Sequence, residues 1–364
     1  AVAISVRRAQ IAMSHRIISK GNEEDTTSSD DEDVLLHDFD PLTADVYSWA
    51  VSMVLRDIVW LHEGTHLACE RSARIINSVV LILCTGGLQT FLLLAVLSFA
   101  EKHVGSIRAL YGDYETLMYP NHTELTVNNY ARGLPGFRQD DRFLLLDSDA
   151  VSDLCEIPLS HPGYLAAILF IWSCTCIVEM RSIFELWYRL IVATPTVSSP
   201  GQMLQRGKEE HSAYITGLTL CLKVGISTFI QIPRLLTLSL LLWLGCRWLT
   251  ATIGLEEVLL NGLALEFMLM LKELFYRVCT SHRNQLATQR LFVKPFREKN
   301  AANCITFFDS QIWGLICVVW TLAYIFYLQT VLPNYRWDVH DLCTRFGNIT
   351  VVKPLMRGGA GRAH

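Results

Sequence analysis

The amino-acid sequence predicts an all-α integral membrane protein with about five transmembrane helices, two amphipathic helices at the inner face and an irregular luminal cap. Of its 364 residues, 51% are hydrophobic and only 18% are charged. The apolar residues come in long blocks, and about 20 helical residues cross the roughly 30 Å of a bilayer's hydrocarbon core. Basic residues follow some blocks and asparagine glycosylation signals follow others, which indicates two chemically different faces.

The first segment, residues 1–41, is predicted to be a disordered cytoplasmic N-terminus. Acidic and small polar residues run from Glu23 to Asp33, and such a run repels itself instead of packing. The end of this run, together with Leu35 and Leu36, is similar to an acidic dileucine sorting signal. Cytoplasmic sorting adaptors are therefore candidate partners, although acidic tails often contain so short a motif by chance.

Residues 42–74 have the apolar spacing of an amphipathic cytoplasmic helix. Tyr47 and Ile58 fall on the same apolar face at helical spacing. Arg56 and Asp57 interrupt the pattern too early for a membrane span. We expect this helix either to lie on the inner membrane surface or to pack against the helix bundle.

Residues 75–332 form the predicted transmembrane helical domain. Its spans have approximate limits of 75–100, 163–180, 235–254, 255–271 and 312–332. Each limit is set by charged residues, by proline or by an abrupt change to polar sequence. The polar residues 101–162 are then a luminal loop, and residues 333–364 are a luminal C-terminal tail.

A further apolar block, residues 213–232, contains Lys223 and ends at Pro233. Basic residues cluster both in 181–208 and in 272–299, and basic loops face the cytoplasm. If 213–232 crossed the membrane, three spans would separate these clusters and they would lie on opposite sides. We therefore predict that 213–232 lies at the inner interface as the second amphipathic segment, with its lysine reaching towards water.

Two asparagine sequons provide a test of this topology that is independent of charge. They begin at Asn121, after the first span, and at Asn348, in the C-terminal tail. In the five-span topology both lie on the outer side, where glycosylation takes place. The sequence thus predicts a cytoplasmic N-terminus and a luminal or extracellular C-terminus, in a secretory-pathway or plasma membrane.

The same topology leaves two cysteines, Cys155 and Cys343, on the outer face. The secretory lumen is oxidising, whereas the cytosol keeps thiols reduced. Each cysteine lies close to a predicted membrane boundary, so a disulfide between them would join the luminal cap to the tail. Two free thiols, or a bond to another chain, are the alternatives.

One short segment matches a metal-binding pattern, the H-E-x-x-H formed by His62, Glu63 and His66. On a helix the two histidines would share a face and could bind zinc, with the glutamate as general base. A zinc-protease site also needs a third ligand and a packed domain, and Gly64 weakens the helix. We interpret the segment as a juxtamembrane helix with coincidental spacing, and predict no metal and no cofactor.

Two charged residues, Arg247 and Glu266, lie inside predicted spans at similar depth on either side of the 254–255 turn. Charges in lipid are costly and tend to face partners inside the bundle. They are expected to form an intramembrane polar pair, either to fix the register of the hairpin or to serve function. In the functional alternative, Asn261 and Gln89 are neighbours of a cation or proton site that contains Glu266.

The segment from Leu235 to Tyr276, above all Leu259–Phe267 followed by Lys272–Phe275, resembles a hairpin in uncharacterised multipass membrane proteins of unicellular algae and related protists. The resemblance covers about forty residues. It implies a shared membrane fold and carries no known activity.

Three functions are compatible with these patterns. The leading hypothesis is a transporter, channel or channel-like subunit that uses the polar hairpin 235–271. The alternatives are a non-catalytic scaffold or receptor with a glycosylated luminal cap, and a membrane-tethered zinc hydrolase. The sequence contains no Walker loop, nucleotide-binding glycine motif, Ser/His/Asp arrangement or nucleic-acid motif. We therefore expect the lipid bilayer as its partner and no nucleic acid, and the sequence favours a non-enzymatic function over an enzymatic one.

Overall fold

The computed structural model of the protein describes residues 39–62, 68–125, 131–207, 212–295 and 304–345. From Asp40 onward the described residues belong to one unit. The acidic N-terminal segment up to residue 38, including Leu35 and Leu36, lies outside the described residues. The same is true of the end of the C-terminal tail, from residue 346.

Long α-helices dominate the described structure, as the sequence predicts. In chain order the α-helices are α1 (Val46–His62), α2 (Ala68–Met118), α3 (Ser148–Cys155), α4 (Pro162–Tyr188), α5 (Leu220–Ala251), α6 (Leu255–Cys279), α7 (His282–Gln289) and α8 (Cys304–Ala323). Among the described residues, four helical segments are long and apolar enough to cross a membrane: Cys69–Met118, Pro162–Ala193, Leu220–Ala251 and Gln311–Leu328. These segments indicate integration into a membrane.

Three of these long helices contain a π-helical turn: Arg189–Ala193 continues α4, Ser227–Gln231 lies inside α5 and Tyr324–Leu328 continues α8. Such turns interrupt the regular hydrogen-bond ladder. In α5 the turn directly precedes Pro233, which has no backbone N–H to offer that ladder. The helix nevertheless continues through Pro233, so residues 220–232 and the predicted span 235–254 belong to one helix. Residues 213–219 precede this helix, and 213–215 form a β-strand. The interfacial position of 213–232 stays a prediction.

Helix α6 is not one of these four segments, yet it shares their exposed apolar surface. The exposed apolar side chains run from Ile76 to Phe99 in α2, from Phe170 to Val192 in α4, from Leu220 to Trp243 in α5, from Leu259 to Val278 in α6 and from Phe308 to Leu328 in α8. At 1.5 Å per residue, each stretch is about 30–35 Å long. A belt of this height matches the hydrocarbon core of a bilayer.

The helix bundle has two ends, which we call the sheet end and the cap end. At the sheet end, β1 (Asp40–Pro41), β6 (Leu291–Val293), β5 (Ala213–Ile215) and β4 (Leu204–Arg206) form one sheet in that order. Strands β5 and β6 pair in parallel, and the other two pairs are antiparallel. Arg189 fastens α4 to this sheet by donating from its guanidinium to the carbonyls of Lys294, at 2.8 Å, and Val293, at 3.2 Å.

The start of α5 is also tied to the sheet end. Lys223 donates its ammonium to the carbonyls of Ile191, at 2.9 Å, and Thr194, at 2.6 Å. These carbonyls lie where α4 ends, so they lack intrahelical partners. The side chain of Lys223 is therefore buried and caps the end of α4, and the prediction that it reaches towards water is wrong.

At the cap end, α2 continues as a helix to Met118, so the predicted luminal loop 101–162 is helical for its first third. After it come the β2–β3 hairpin (Glu124–Leu125 and Ala131–Arg132), a 3-10 helix (Asp140–Leu145) and α3. Arg108 of α2 donates to the carbonyls of Val331, at 2.8 Å, and Thr330, at 2.5 Å. The segment after α8 thus folds back onto the cap.

The predicted disulfide between Cys155 and Cys343 is present, with Cα atoms 5.6 Å apart. This separation is within the usual range for a disulfide. The bond joins the end of α3 to the C-terminal segment, so the cap and the tail form one covalently closed region. The predicted pairing of these two cysteines is therefore confirmed.

Helix α1 differs most from the sequence-based expectation. It ends at His62, and α2 begins at Ala68, so 42–74 is not one helix. The first turns of α1 are buried on all sides, with Val46 and Ala50 fully covered and Trp49 2% exposed. The helix therefore does not lie on the membrane surface but packs into the bundle, which is the second of the two expected arrangements.

The turn between α5 and α6 requires glycine at one position. The backbone of Gly254 has a φ of 95°, a value that residues other than glycine rarely adopt. Its N–H donates to the carbonyl of Glu156 at 3.4 Å, which holds the turn against the cap. Deeper in α5, a Cβ on Gly245 would lie 2.5 Å from Nε1 of Trp172, so the close approach of α4 and α5 also depends on glycine.

Candidate functional site

Four charged side chains from different parts of the chain meet inside the bundle, and we call them the central cluster: Asp45, Glu179, Arg234 and Lys272. Nη2 of Arg234 lies 3.2 Å from Oδ2 of Asp45 and 3.8 Å from Oε2 of Glu179. The ammonium of Lys272 makes an ion pair with the same Oε2 of Glu179. Glu179 therefore shares one oxygen between two cations.

The central cluster is almost completely shielded from solvent. The side chains of Arg234 and Asp45 are 6% and 5% exposed, and those of Lys272 and Glu179 are 9% and 15% exposed. Buried charges of this kind are expensive unless they are paired and hydrogen-bonded. The pairing leaves the cluster formally neutral, with two cations and two carboxylates.

Asp45 owes its position to the start of α1, where it is the capping residue. Its Oδ1 accepts from the backbone N–H of Ser48 at 2.7 Å, and its Oδ2 accepts from the hydroxyl of Thr43 at 3.2 Å. A capping aspartate satisfies one of the free N–H groups at a helix start, and the helix dipole favours its negative charge. Each carboxylate oxygen of Asp45 therefore accepts a hydrogen bond from the start of α1 or from Thr43, in addition to the ion pair with Arg234.

The central cluster lies deep in the apolar belt. Measured along the helices from the sheet end of the belt, Gln89, Glu179 and Arg234 each lie about 20 Å in, and Lys272 about 9 Å in. The long lysine side chain covers the remaining distance to Glu179. Since the belt is about 30–35 Å high, the cluster is close to its middle.

Helix α1 enters the bundle to reach this depth. Its first residues contact the middle of α2, because the hydroxyl of Tyr47 donates to Oε1 of Gln89 at 3.0 Å. Its last turns lie back at the sheet end, where Asp57 pairs with Arg74 at 2.7 Å. The start of α1 is thus inserted between the long helices, and its end returns to the same side as the sheet.

A cavity lies beside the central cluster. Its polar lining residues are Tyr47, Gln89, Glu179, Arg234, Thr237 and Lys272. The space open to the centres of water molecules is about 40 Å³. One buried water needs roughly 10–15 Å³ by this measure, so the cavity can hold about three waters or one small ion. The ring of Tyr47 also stacks on the guanidinium of Arg234, with 4.8 Å between the group and the ring centroid.

A second buried ionic group, the cap network, lies at the cap end and consists of Tyr114, Glu115, Tyr119, Arg132, Arg336 and Asp338. Oε1 of Glu115 lies 2.8 Å from Arg132 and 3.7 Å from Arg336. Oδ2 of Asp338 accepts hydrogen bonds from Tyr114, at 2.9 Å, and Tyr119, at 2.5 Å. Burial, reinforced by Asp338, raises the pKa of Tyr119 to about 12, so the hydroxyl stays a donor at neutral pH.

The structure does not bring the predicted intramembrane pair together directly. No hydrogen bond or ion pair joins Arg247 and Glu266 among the described residues, and Arg247 instead lies over the ring of Trp243, 5.6 Å from its centroid. Asn261 donates to Thr252 at 3.0 Å, near the turn at the cap end. Gln89 bonds Tyr47 in the cavity, so these two expected neighbours of Glu266 lie in separate places. A water-bridged Arg247–Glu266 contact stays a prediction.

The other predicted sites are only partly within the described residues. His62 is exposed at the end of α1, while Glu63 and His66 are not described. No group of three or more His, Cys, Asp or Glu residues that could hold a metal occurs within the described ranges. Asn121 is exposed at the cap end, where glycosylation is expected, and Asn348 is not described.

The central cluster was missed because its residues looked like boundary markers. Arg234 ends the apolar block 213–232, and Lys272 begins the basic stretch after 255–271, so the sequence indicates segment boundaries at both positions and not buried charges. The signal that could have identified Arg234 was the absence of any polar loop between it and the next apolar block. No sequence pattern links it to Asp45, which lies 189 positions away.

Comparisons with known proteins do not assign the chain to a family. The chain matches no protein-family model, no curated protein and no solved structure. The function must therefore be argued from the geometry of the chain itself.

Proposed function

We propose that the protein is a transporter or channel that moves a small charged solute across a membrane through its helix bundle, with the central cluster as the binding site. The observation that carries the proposal is a neutral group of four buried charges beside a water-sized cavity, midway along an apolar belt. Ionisable residues at this depth are costly, so in membrane proteins they commonly mark ion and substrate pathways.

The inserted start of α1 supports the same proposal. Transporters often bind their substrates near the middle of the bilayer, where helix ends and interrupted helices present backbone groups to the solute. Here the first turn of α1 brings Asp45 and Tyr47 to the cavity. A purely structural helix could lie at the membrane surface without burying these groups.

The proposed topology has five crossings, a cytoplasmic sheet end and an outer cap end. The apolar belt on α6 supports the fifth crossing, and the disulfide supports an oxidising environment for the cap. In sealed microsomes, a tag after His364 should be protected from protease and a tag at Lys20 should be digested. Digestion of the C-terminal tag would reject this topology.

Transport can be tested without knowing the natural substrate. The full chain is reconstituted in liposomes, which are shrunk by a pulse of external potassium chloride or potassium nitrate, and their reswelling is followed by light scattering. Valinomycin and nigericin are added so that neither charge nor proton movement limits the salt flux. We expect faster reswelling than in empty liposomes for at least one salt.

Two variants identify the pathway in this assay. Lys272→Gln should slow reswelling at least tenfold, because it removes a cation from the cavity wall. Glu185→Gln is the matched control, since Glu185 lies on the same helix as Glu179 but pairs with Arg181 at a partly exposed site. Equal reswelling of empty and protein-containing liposomes would reject transport of these ions.

The scaffold or receptor alternative is supported by a different region. The cap network and the disulfide hold a compact outer surface that carries the exposed Asn121. If this surface were the functional part, exchanging residues of the central cluster would change stability but no measurable flux. The reswelling assay therefore separates the two proposals.

A further inference from the structure

The two carboxylates of the central cluster differ in what surrounds them. Asp45 is held by Ser48, Thr43 and Arg234, and it does not line the cavity. Glu179 lines the cavity, and its Oε2 faces both Lys272 and Arg234. A proton arriving through the cavity would therefore meet Glu179 and not Asp45.

Every element packed around Glu179 contributes a polar or titratable group. Lys272 comes from α6, Arg234 from α5, Gln89 from α2, and Tyr47 with Asp45 from the start of α1. On its own helix, Cys176 lies one turn away and is fully buried. Among these groups Glu179 is the carboxylate that is both solvated by the cavity and shared between cations.

Protonation of Glu179 changes the charge of the cavity wall. With Glu179 ionised, the cluster has two positive and two negative charges. With Glu179 neutral, Lys272 loses its counter-ion, and one net positive charge remains in a region of low dielectric constant. A small anion in the cavity would restore neutrality and would accept hydrogen bonds from Lys272 and Arg234.

We infer that Glu179 and Lys272 form a proton-coupled binding site for a small monovalent anion, in which the anion takes the place that the Glu179 carboxylate leaves when it accepts a proton. This inference rests on the proposed transport function and names the class of its substrate. One proton moves from solvent to Glu179 and one anion moves from solvent to the cavity, so the site stays neutral. No covalent bond other than O–H is made or broken.

The cavity suits such an occupant in size and in chemistry. Its open space of about 40 Å³ admits one chloride or nitrate but not a large organic anion. Besides Lys272 and Arg234, hydroxyl and amide donors from Tyr47, Thr237 and Gln89 line it. A bare metal cation would have to compete with Lys272 and Arg234 for the Glu179 carboxylate, whereas an anion would meet both cations once Glu179 is protonated.

Binding can be measured in detergent, apart from transport. Chloride or nitrate is titrated into weakly buffered full-length protein, and proton uptake is read with a pH electrode while anion binding is read by calorimetry. We expect about one proton taken up per anion bound, and an affinity that falls up to tenfold for each unit rise in pH. A sodium salt and a potassium salt of the same anion should give the same result.

Variants separate this mechanism from simple charge screening. Glu179→Gln should bind the anion with no proton uptake and with an affinity independent of pH, because the amide mimics the protonated acid. Lys272→Gln should lose at least tenfold in affinity. If Glu179→Gln does not fold, Tyr47→Phe serves in its place and should weaken binding severalfold while leaving the proton count unchanged.

The outcomes distinguish this inference from the transport proposal. Proton uptake that persists in Glu179→Gln, or the absence of binding by both chloride and nitrate, would overturn the inference. Binding with coupled protons but no reswelling of liposomes would uphold the site and reject transport. Flux without proton coupling would uphold transport and reject the role of Glu179.

Discussion

The central cluster and the cap network are both buried groups of carboxylates and cations, but they differ in what surrounds the carboxylates. In the cap network, Asp338 accepts from two neutral tyrosine hydroxyls, those of Tyr114 and Tyr119, and the ring of Tyr114 stacks on that of Tyr111 with 5.5 Å between their centroids. In the central cluster, Glu179 faces two cations and a cavity. Similar residues therefore form a network enclosed by hydrogen bonds at the cap end and a network that borders a cavity in the middle of the bundle.

This difference shows that burial of charge alone does not indicate function. A buried pair is weak evidence for either stability or function until its surroundings are known. The relevant feature is a carboxylate whose protonation leaves an unpaired cation next to open space. Only the central cluster has that feature among the two networks, so variants there should affect flux, and variants in the cap should affect stability.

The largest effect is expected from breaking the pair at the start of α1. Arg234→Met leaves Asp45 buried without its cation and should lower the free energy of unfolding by about 3–5 kcal/mol. The double variant Asp45→Asn with Arg234→Met should recover most of that loss, because no uncompensated charge remains. Thermal unfolding in detergent measures both.

A surface pair provides the control for this prediction. Arg181→Met removes the exposed ion pair with Glu185, one turn away on the same helix, and should cost no more than about 0.5 kcal/mol. If Arg234→Met were equally mild, Asp45 would not depend on that cation, and the description of the central cluster would be wrong.

The second largest effect belongs to the cap. Replacing both Cys155 and Cys343 by serine opens a covalent link across 188 positions and should cost about 2–4 kcal/mol. In the wild-type protein, adding reductant should lower the free energy of unfolding by the same amount as the double serine substitution. Because the link is far from the cavity, anion affinity should stay within twofold; a tenfold change would couple the two regions.

A smaller effect is expected inside the cap network. Asp338→Asn keeps the size of the side chain but weakens two hydrogen bonds from tyrosine hydroxyls to a charged acceptor, and should cost about 1.5–3 kcal/mol. Reswelling rates, corrected for the amount of folded protein, should remain those of the wild type. A selective loss of flux would show that the cap takes part in transport.

The smallest effect on stability is expected from Tyr47→Phe. It removes one hydrogen bond to Gln89 and should cost about 0.5–1.5 kcal/mol. Despite this small cost, it should reduce anion affinity more than Asp338→Asn does, since Tyr47 lines the cavity. If Asp338→Asn reduced anion affinity more than Tyr47→Phe does, anion binding would depend on the cap network more than on the cavity, and the assignment of binding to the central cluster would be wrong.

The sequence allowed the helical class, the long apolar segments and the disulfide to be predicted, because each depends on local composition and on counting. The continuous helix through Pro233 was not predictable, since a π-turn depends on packing and not on a residue pattern. Packing of α1 into the bundle was one of two arrangements that the sequence left open, because a helix that is apolar on several sides has the same residue pattern at a surface and inside a bundle. The site was only partly foreseen: Gln89 lines the cavity, whereas Arg247 and Glu266 do not.

The four-stranded sheet has a consequence for how the protein is made. Strand β1, at Asp40–Pro41, precedes every long helix, but its partner β6, at Leu291–Val293, follows α6. During synthesis the start of the chain must therefore wait for about 250 further residues before it can pair. Ribosome-bound chains that stop before β6 should keep α1 accessible to protease, and the insertion of Asp45 beside Arg234 becomes a late step in assembly.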